Sequence, residues 1–506
     1  MPAAASDATP SSAEATACAD AHLFEVIVVG AGFAGVGAAI ALQQMGADYL
    51  VLEKASEIGG VWRDNTYPDC GCDVPAALYS YSFAANPHWT RLFAKQAEIK
   101  DYTLNTARQF QVLERVRLNT EMHQARWDTA TSCWHVQTHQ GLFRARFVVM
   151  ACGPMHVPTR PAIRGLETFS GRQFHSSQWD HGCDLTGQRV AVIGTGASAI
   201  QFVPEIAKKV AHLSLFQRTA PWVLAKMDAP ISVAWQQRFA RFPWLQAWLR
   251  KAVYLQFEIL NSGLRYPFFV KRLQKAGLKN MQRSVKDPAL RQQLTPDFAL
   301  GCKRILQSNS WYRALSQPHT TVFKGVREIE GRKITDSDGQ SAEVDVLIFA
   351  TGFEVANPPI GQHIIGASGQ RLADQWQGSP QAYLGTMVAD CPNLFLTLGP
   401  NLYTFSSAFV MIEAQLQFIR SALRTAREKQ LATIAVNAAQ LAHYNQQLQT
   451  ALQRTVWNSG CASYFLDRNG RNSTNWPWTT FFMRWRLRRF RIAEFDVTYA
   501  TPPTRS

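Results

Sequence analysis

The chain has 506 residues, more than one hydrophobic core supports, so two or three packed units are expected. Lys and Arg number 52 against 37 Asp and Glu, a formal charge of +15 that attracts anions without saying which. No zinc-finger, recognition-helix or aromatic–basic single-strand motif supports a nucleic-acid binder. Nine scattered cysteines, Cys70 and Cys72 the nearest pair, lack the spacing of a metal knuckle or a CxxC. They predict no metal site, no disulfide framework and a reducing, cytoplasmic setting. Residues 1–20, rich in Ala, Ser, Thr and Pro without Lys or Arg, read as a disordered leader and not a signal peptide. No stretch has the apolar length of a transmembrane helix, so a soluble chain is expected.

In chain order, Leu23 to Val29 is the first predicted strand. It runs into Gly30-Ala31-Gly32-Phe33-Ala34-Gly35 and a helix from Gly35 to Met45. A buried strand turning sharply into a helix aims the first helical amides at a pyrophosphate. The next strand, Tyr49 to Leu52, ends at Glu53, placed to accept hydrogen bonds from a ribose diol. A further strand over 144–151 closes at Gly153-Pro154.

The pattern restarts at Val190, where Gly194-Thr195-Gly196-Ala197-Ser198 follows an apolar run and Leu213 to Phe216 forms the next strand. No carboxylate stands after that strand. Gln217-Arg218-Thr219 does, and a guanidinium binds a ribose 2′-phosphate that a carboxylate would repel. Two such turns with different residues at the far end imply two dinucleotides, the second being NADPH.

From Trp235 to Gly277 the spacing of Trp244, Leu245, Trp248, Leu249, Val253 and Phe257 is helical, predicting an inserted cover domain whose stripe packs as core. Ser337 to Gly339 marks a turn, and Val344 to Ala350 a strand ending in Thr351-Gly352. A polar, surface helical pair is expected over 420–449. The tail from Phe481 to Ile492 interleaves aromatics with five arginines; packing is favoured over contact with anionic lipid.

Between the two turns stands Phe169-x-Gly171-x-x-x-His175-x-x-x-Trp179-Asp180. With both glycine turns, this resembles the type I Baeyer–Villiger monooxygenases, class B flavoprotein enzymes, over nearly the whole chain after residue 20. Gly59-Gly60-Val61-Trp62, Tyr67-Pro68 and Asp73 are similar to a second family signature, and Cys302-Lys303-Arg304 to its lysine–arginine pair. Gly399-Pro400-Asn401 matches a turn near the flavin. Tyr403-Thr404-Phe405-Ser406-Ser407 departs, with Phe405 and Ser406 where relatives carry a Gly-His pair.

The resemblance implies an α/β chain of two Rossmann-like dinucleotide-binding domains with an inserted helical domain. FAD-binding parts fall at 21–160 and 341–506, NADPH-binding parts at 161–230 and 301–340, and the insertion at 231–300. FAD would be held by Gly30, Gly32, Phe33, Gly35, Glu53, Lys54, Gly60, Trp62, Asp73, Tyr79, Thr351 and Gly352. NADPH would be held by Gly194, Thr195, Gly196, Ala197, Ser198, Arg218, Thr219, Lys303 and Arg304. Phe169, Gly171, His175, Trp179 and Asp180 would form an interdomain linker. The implied reaction uses NADPH and O2 to turn a small apolar ketone into an ester or lactone through a C4a-peroxyflavin. Arg304, oriented by Asp73, would keep the oxygen adduct ionised. Oxygenation of sulfur or nitrogen is an alternative within flavin chemistry. A basic peripheral-membrane or nucleic-acid binder on a nucleotide fold is one of another class. A pyridine-nucleotide–disulfide reductase would need a redox dithiol pair that the spacing does not supply.

Overall fold

The computed structural model describes residues 22–500; the leader read over residues 1–20 lies outside them. Strand β1 (Leu23–Val29) ends in four buried residues, as a central parallel strand requires. It turns into helix α1 (Phe33–Gln44), buried from Phe33 to Leu42, and returns as β2 (Tyr49–Leu52). Next come β3 (Val116–Arg117) and the meander β4 (Met122–Asp128), β5 (Cys133–Thr138) and β6 (Gly141–Met150). A second unit is built from β7 (Arg172–His175), β8 (Arg189–Ile193), α2 (Ala199–Ile206) and β9 (His212–Phe216). Its longest interruption is helical: α3 (Val233–Arg241), α4 (Pro243–Gly263) and α5 (Pro267–Ser284), followed by two short helices. Then follow β10 (Thr320–Phe323), β11 (Val346–Phe349), β12 (Ile364–Ile365) and β13 (Leu394–Leu396). The chain ends in α6 (Ala408–Lys429), β14 (Leu431–Val436), α7 (Ala438–Leu452), α8 (Thr480–Arg486) and β15 (Phe495–Tyr499).

Two sheets organise the molecule. The first runs β12-β4-β5-β6-β1-β2-β3, with β13 also on β6, and the second β10-β9-β8-β11-β7. Val29 lies opposite both Leu52 and Met150, so Gly30, Glu53 and Ala151 meet at one carboxyl edge. Ile193 lies opposite Phe216 and Phe349 in the same way. Open α/β sheets take ligands in the crevice at such an edge. A cavity lined by Cys152, Pro154, Leu398, Pro400 and Tyr403 opens at the carboxyl ends of β6 and β13.

Several expectations are corrected. The strand at 346–349 pairs with β8 and β7, so residues placed with the closing part of the first unit belong to the second sheet. The segment from Phe169 to Asp180 is not a free linker, because its Arg172–His175 stretch is an edge strand of that sheet. Phe169 is buried, and a side-chain carbon on Gly171 would overlap the Asp345 carbonyl oxygen. The two helices expected over 420–449 are present as the end of α6 and as α7, with β14 between them, but the segment is not all surface: Leu423, Leu431, Ile434 and Leu448 are buried. The polar residues at the end of α6 lie on the opposite face, which composition alone does not separate. The insertion stripe divides: Val253 is buried while Trp244 and Trp248 stand exposed. Finally, Cys302 and Cys461 form a disulfide across 159 residues, a contact that spacing along the chain cannot reveal. Six further described cysteines are free.

Candidate active site

The first glycine turn is dictated by sterics. Gly30 has φ +102°, and a side-chain carbon there would sit 2.6 Å from the Ala151 carbonyl oxygen. One at Gly35 would overlap the Gly30 carbonyl, so α1 starts hard against β1. The backbone of Gly60 also approaches this turn: its side-chain carbon would lie 3.0 Å from the Gly32 Cα. No side chain caps α1 at Gly32, which leaves its leading amides for a ligand. Glu53, 5% exposed, accepts from the Ala31 amide at 2.7 Å, and from the Ala55 amide and Arg63 at 3.0 and 3.1 Å. It is thus anchored at the turn. Phe33 lies edge-on to Tyr79, whose hydroxyl accepts from Trp62 Nε1 at 3.1 Å. These residues, far apart in sequence, form one wall.

Not every sequence candidate joins it. Lys54 lies exposed, 3.9 Å from Glu121. Thr351 Oγ1 donates to the Thr159 carbonyl, and the Gly352 carbonyl accepts from the Thr159 amide at 2.9 Å. Through Ala350, whose carbonyl a side chain on Gly194 would overlap, they border the second glycine turn.

That second turn repeats the first. Gly194 has φ +108°, Thr195 Oγ1 donates to the Thr219 carbonyl at 3.4 Å, and no side chain caps α2 at Ser198. Ala197 lies in the same loop. Arg218 is exposed just past β9, close enough to Lys303 for the two cations to repel. Burial pulls the Lys303 amine down, Asp297 opposes this, and Arg218 pulls it further down. Two neighbouring cations of this kind suit a phosphorylated ligand.

Arg304 and Asp73 link the units. Asp73 comes from the loop after the first turn, Arg304 from the return of the insertion. Nε and Nη2 donate to Asp73 Oδ2 at 2.9 and 2.5 Å. Asp73 holds the guanidinium pKa well above its ordinary value, against burial. Arg304 therefore stays charged at any working pH.

In the second sheet His175 ends β7 opposite Phe349, fully buried, with Nδ1 2.8 Å from Ser177 Oγ. Burial, with Arg160 nearby, pushes its pKa down to about 4, so the imidazole is neutral. Trp179 packs edge-on against Phe174 and Phe202, and Asp180 pairs with Arg172 at 3.1 Å.

The comparisons with known proteins decide the family. Residues 27–243 match the pattern described as pyridine nucleotide-disulphide oxidoreductase, which spans both glycine turns. A Baeyer–Villiger monooxygenase of Pseudomonas aeruginosa is 43% identical over 94% of this chain and 91% of its own. One of Streptomyces coelicolor is 42% identical over 94% and 93%. The chain belongs to the Baeyer–Villiger monooxygenases. A solved oxidised steroid monooxygenase bound to NADP superposes with TM-score 0.82 at 26% identity, covering 92% of this chain and 96% of that one.

Three neighbours escaped the sequence reading. Gln201 on α2 accepts from Tyr67 and the Gly71 amide at 3.1 and 3.2 Å and donates back to the Gly71 carbonyl at 3.0 Å, fastening the second unit to the first. Tyr464 lies within electrostatic range of Arg304. The Cys302–Cys461 bridge ties the loop bearing Lys303 and Arg304 to the segment bearing Tyr464. A glutamine, a tyrosine and two distant cysteines carry no local pattern. The departing residues lie nearby: Phe405 stacks on Trp457 at 5.5 Å, while the buried Thr404 and Ser406 hydroxyls have no partner in the protein.

Proposed function

We propose that the protein holds FAD at the first glycine turn and NADPH at the second, and inserts one atom of O2 beside the carbonyl of a small apolar ketone. The observation that carries this reading is the Asp73–Arg304 pair, a cation held in a fixed orientation in a chain with two uncapped glycine turns. When bound, FAD takes a hydride from NADPH and activates O2. Gly30, Gly35 and Gly60, where side chains would crowd neighbouring backbone, let the turn close so that its amides meet a pyrophosphate beside Gly32, and Glu53 accepts from a ribose. Arg218 and Lys303 neutralise a 2′-phosphate and so select NADPH.

Arg304 does the electrostatic work. Baeyer–Villiger insertion builds negative charge on oxygen as it attacks the carbonyl carbon, and a prepaid guanidinium stabilises that charge without reorganising. Asp73 spends one carboxylate oxygen on two N–H groups and so fixes the guanidinium plane. Oxygen delivery to a soft sulfur or nitrogen does not need such a cation, so the pair favours ketones over thioethers. No helix among the described residues is long and apolar enough to cross a membrane. A cytoplasmic setting, where NADPH is regenerated, belongs to the same proposal.

Purified protein supplied with FAD and NADPH tests it. The expected result is ketone-dependent NADPH oxidation with one ester or lactone formed per NADPH. Oxidation that ignores ketones and yields only hydrogen peroxide would refute it.

A further inference from the structure

We propose that the helical insertion and the C-terminal helix form a docking face for an anionic lipid bilayer. The sequence placed the α4 stripe in the core; the structure leaves much of it in solvent. Trp244, Trp248, Leu255 and Ile259 fall within an arc of about 60° on α4, and all four are exposed, Trp248 at 65%. Only the flank is covered: Phe481 of α8 packs edge-on against Tyr254 at 5.0 Å, and Thr480 binds the buried Glu258. This brings α8 alongside, where Phe481 and Trp485 are again exposed, Trp485 at 55%. An apolar, Trp-rich stripe of this length left open on a protein surface marks an interaction site.

Charge identifies the occupant. Residues 229–286 carry eleven Lys and Arg against one acid, Glu258, which is buried against Thr480. Residues 480–494 add five arginines against one acid, Glu494, which pairs with Arg486 and Arg491 at 3.2 and 3.5 Å and leaves Arg484, Arg488 and Arg489 in excess. The cations border the aromatics: Lys251 stands over Trp248 at 5.5 Å, Arg238 over Trp235 at 4.9 Å and Arg491 over Trp485 at 5.2 Å. Tryptophans beside long basic side chains are the composition of an interfacial helix, its rings at headgroup depth and its cations on lipid phosphates. A second copy of the same face would set this positive surface against itself, so charge argues for lipid.

The test sediments the FAD-loaded full chain with phosphatidylcholine vesicles, with and without a one-third share of phosphatidylglycerol. Partitioning is expected to rise at least about tenfold with the anionic lipid and to collapse in high salt. The Trp244→Ser/Trp248→Ser/Trp485→Ser variant, altered only at exposed positions, is expected to lose at least about tenfold in partitioning. Its ketone-dependent NADPH oxidation in vesicle-free buffer stays unchanged. Equal partitioning on neutral and anionic vesicles, or undiminished binding by the triple variant, overturns the proposal. So does a dimer in light scattering that the triple variant converts to monomer without any vesicle binding. Because sedimentation needs no turnover, it stands whether or not the ketone reading does.

Discussion

Arg304 and Asp73, 231 residues apart in sequence, meet through two hydrogen bonds that share one acceptor, Asp73 Oδ2. The pairing joins the loop after the first nucleotide turn to the return of the helical insertion. A cation so placed is fixed in orientation before any substrate arrives. Arg304→Ala is expected to retain FAD and accept hydride from NADPH while ester formation falls by about two to three orders of magnitude. Asp73→Asn keeps an acceptor but removes the charge, so a smaller loss is expected. Anaerobic flavin bleaching measured beside product yield separates the two steps. A variant that makes ester at the normal rate would remove Arg304 from the chemistry.

Arg218 approaches Lys303 closely enough to disfavour the charge on the Lys303 amine, a cost that a dianionic phosphate offsets. Arg218→Ala is expected to raise the KM for NADPH by about tenfold to a hundredfold and leave that for NADH nearly unchanged. Steady-state kinetics with both nucleotides at saturating ketone check this. A parallel rise for both would show that Arg218 does not read the 2′-phosphate.

The first turn tolerates no side chain at its third glycine. Gly35→Ala drives a methyl into the Gly30 carbonyl and so pushes α1 off β1. The expected outcome is protein that purifies without yellow colour and does not recover absorbance on addition of FAD. Gly182→Ala, at a position outside the left-handed region where the nearest atom is a side-chain oxygen of Asp180 at 3.3 Å, serves as the control.

His175 supplies a pH dependence. Its folded pKa lies near 4, below the ordinary value of 6.5, because burial penalises the cation. As pH falls from 6.5 towards 4 the unfolded chain binds a proton that the native state does not. Stability contributed by the neutral imidazole is therefore present above pH 6.5 and lost on acidification, at up to about 1.4 kcal/mol per pH unit. Denaturant titrations at several pH values are expected to show a shallower acid slope for His175→Gln than for wild type. Equal slopes would mean that the imidazole is protonated in the native state.

The two turns, their strands and Glu53 were readable because an apolar run followed by closely spaced glycines has almost one steric solution. Arg218 was readable for a similar reason, standing where a carboxylate is usual. The Cys302–Cys461 bridge, Gln201 and Tyr464 were not, since each acts on a residue that only the tertiary fold brings near. The insertion misled differently. Helical periodicity identifies an apolar face but not whether anything covers it, so Trp244 and Trp248 read as core and stand in solvent. Strand β11 misled through continuity, because a chain that crosses between two similar sheets does not signal in its sequence which one it rejoins.

The central claim is that oxygen from O2 is inserted between a carbonyl carbon and its neighbour under the charge of Arg304. Turnover of a ketone under 18O2, with the product analysed by mass spectrometry, measures it most directly. One labelled oxygen per ester, located in the bridging position, is the predicted result, with Arg304→Ala yielding almost none. Ester free of label, or label only in hydrogen peroxide while the ketone is recovered intact, would contradict it.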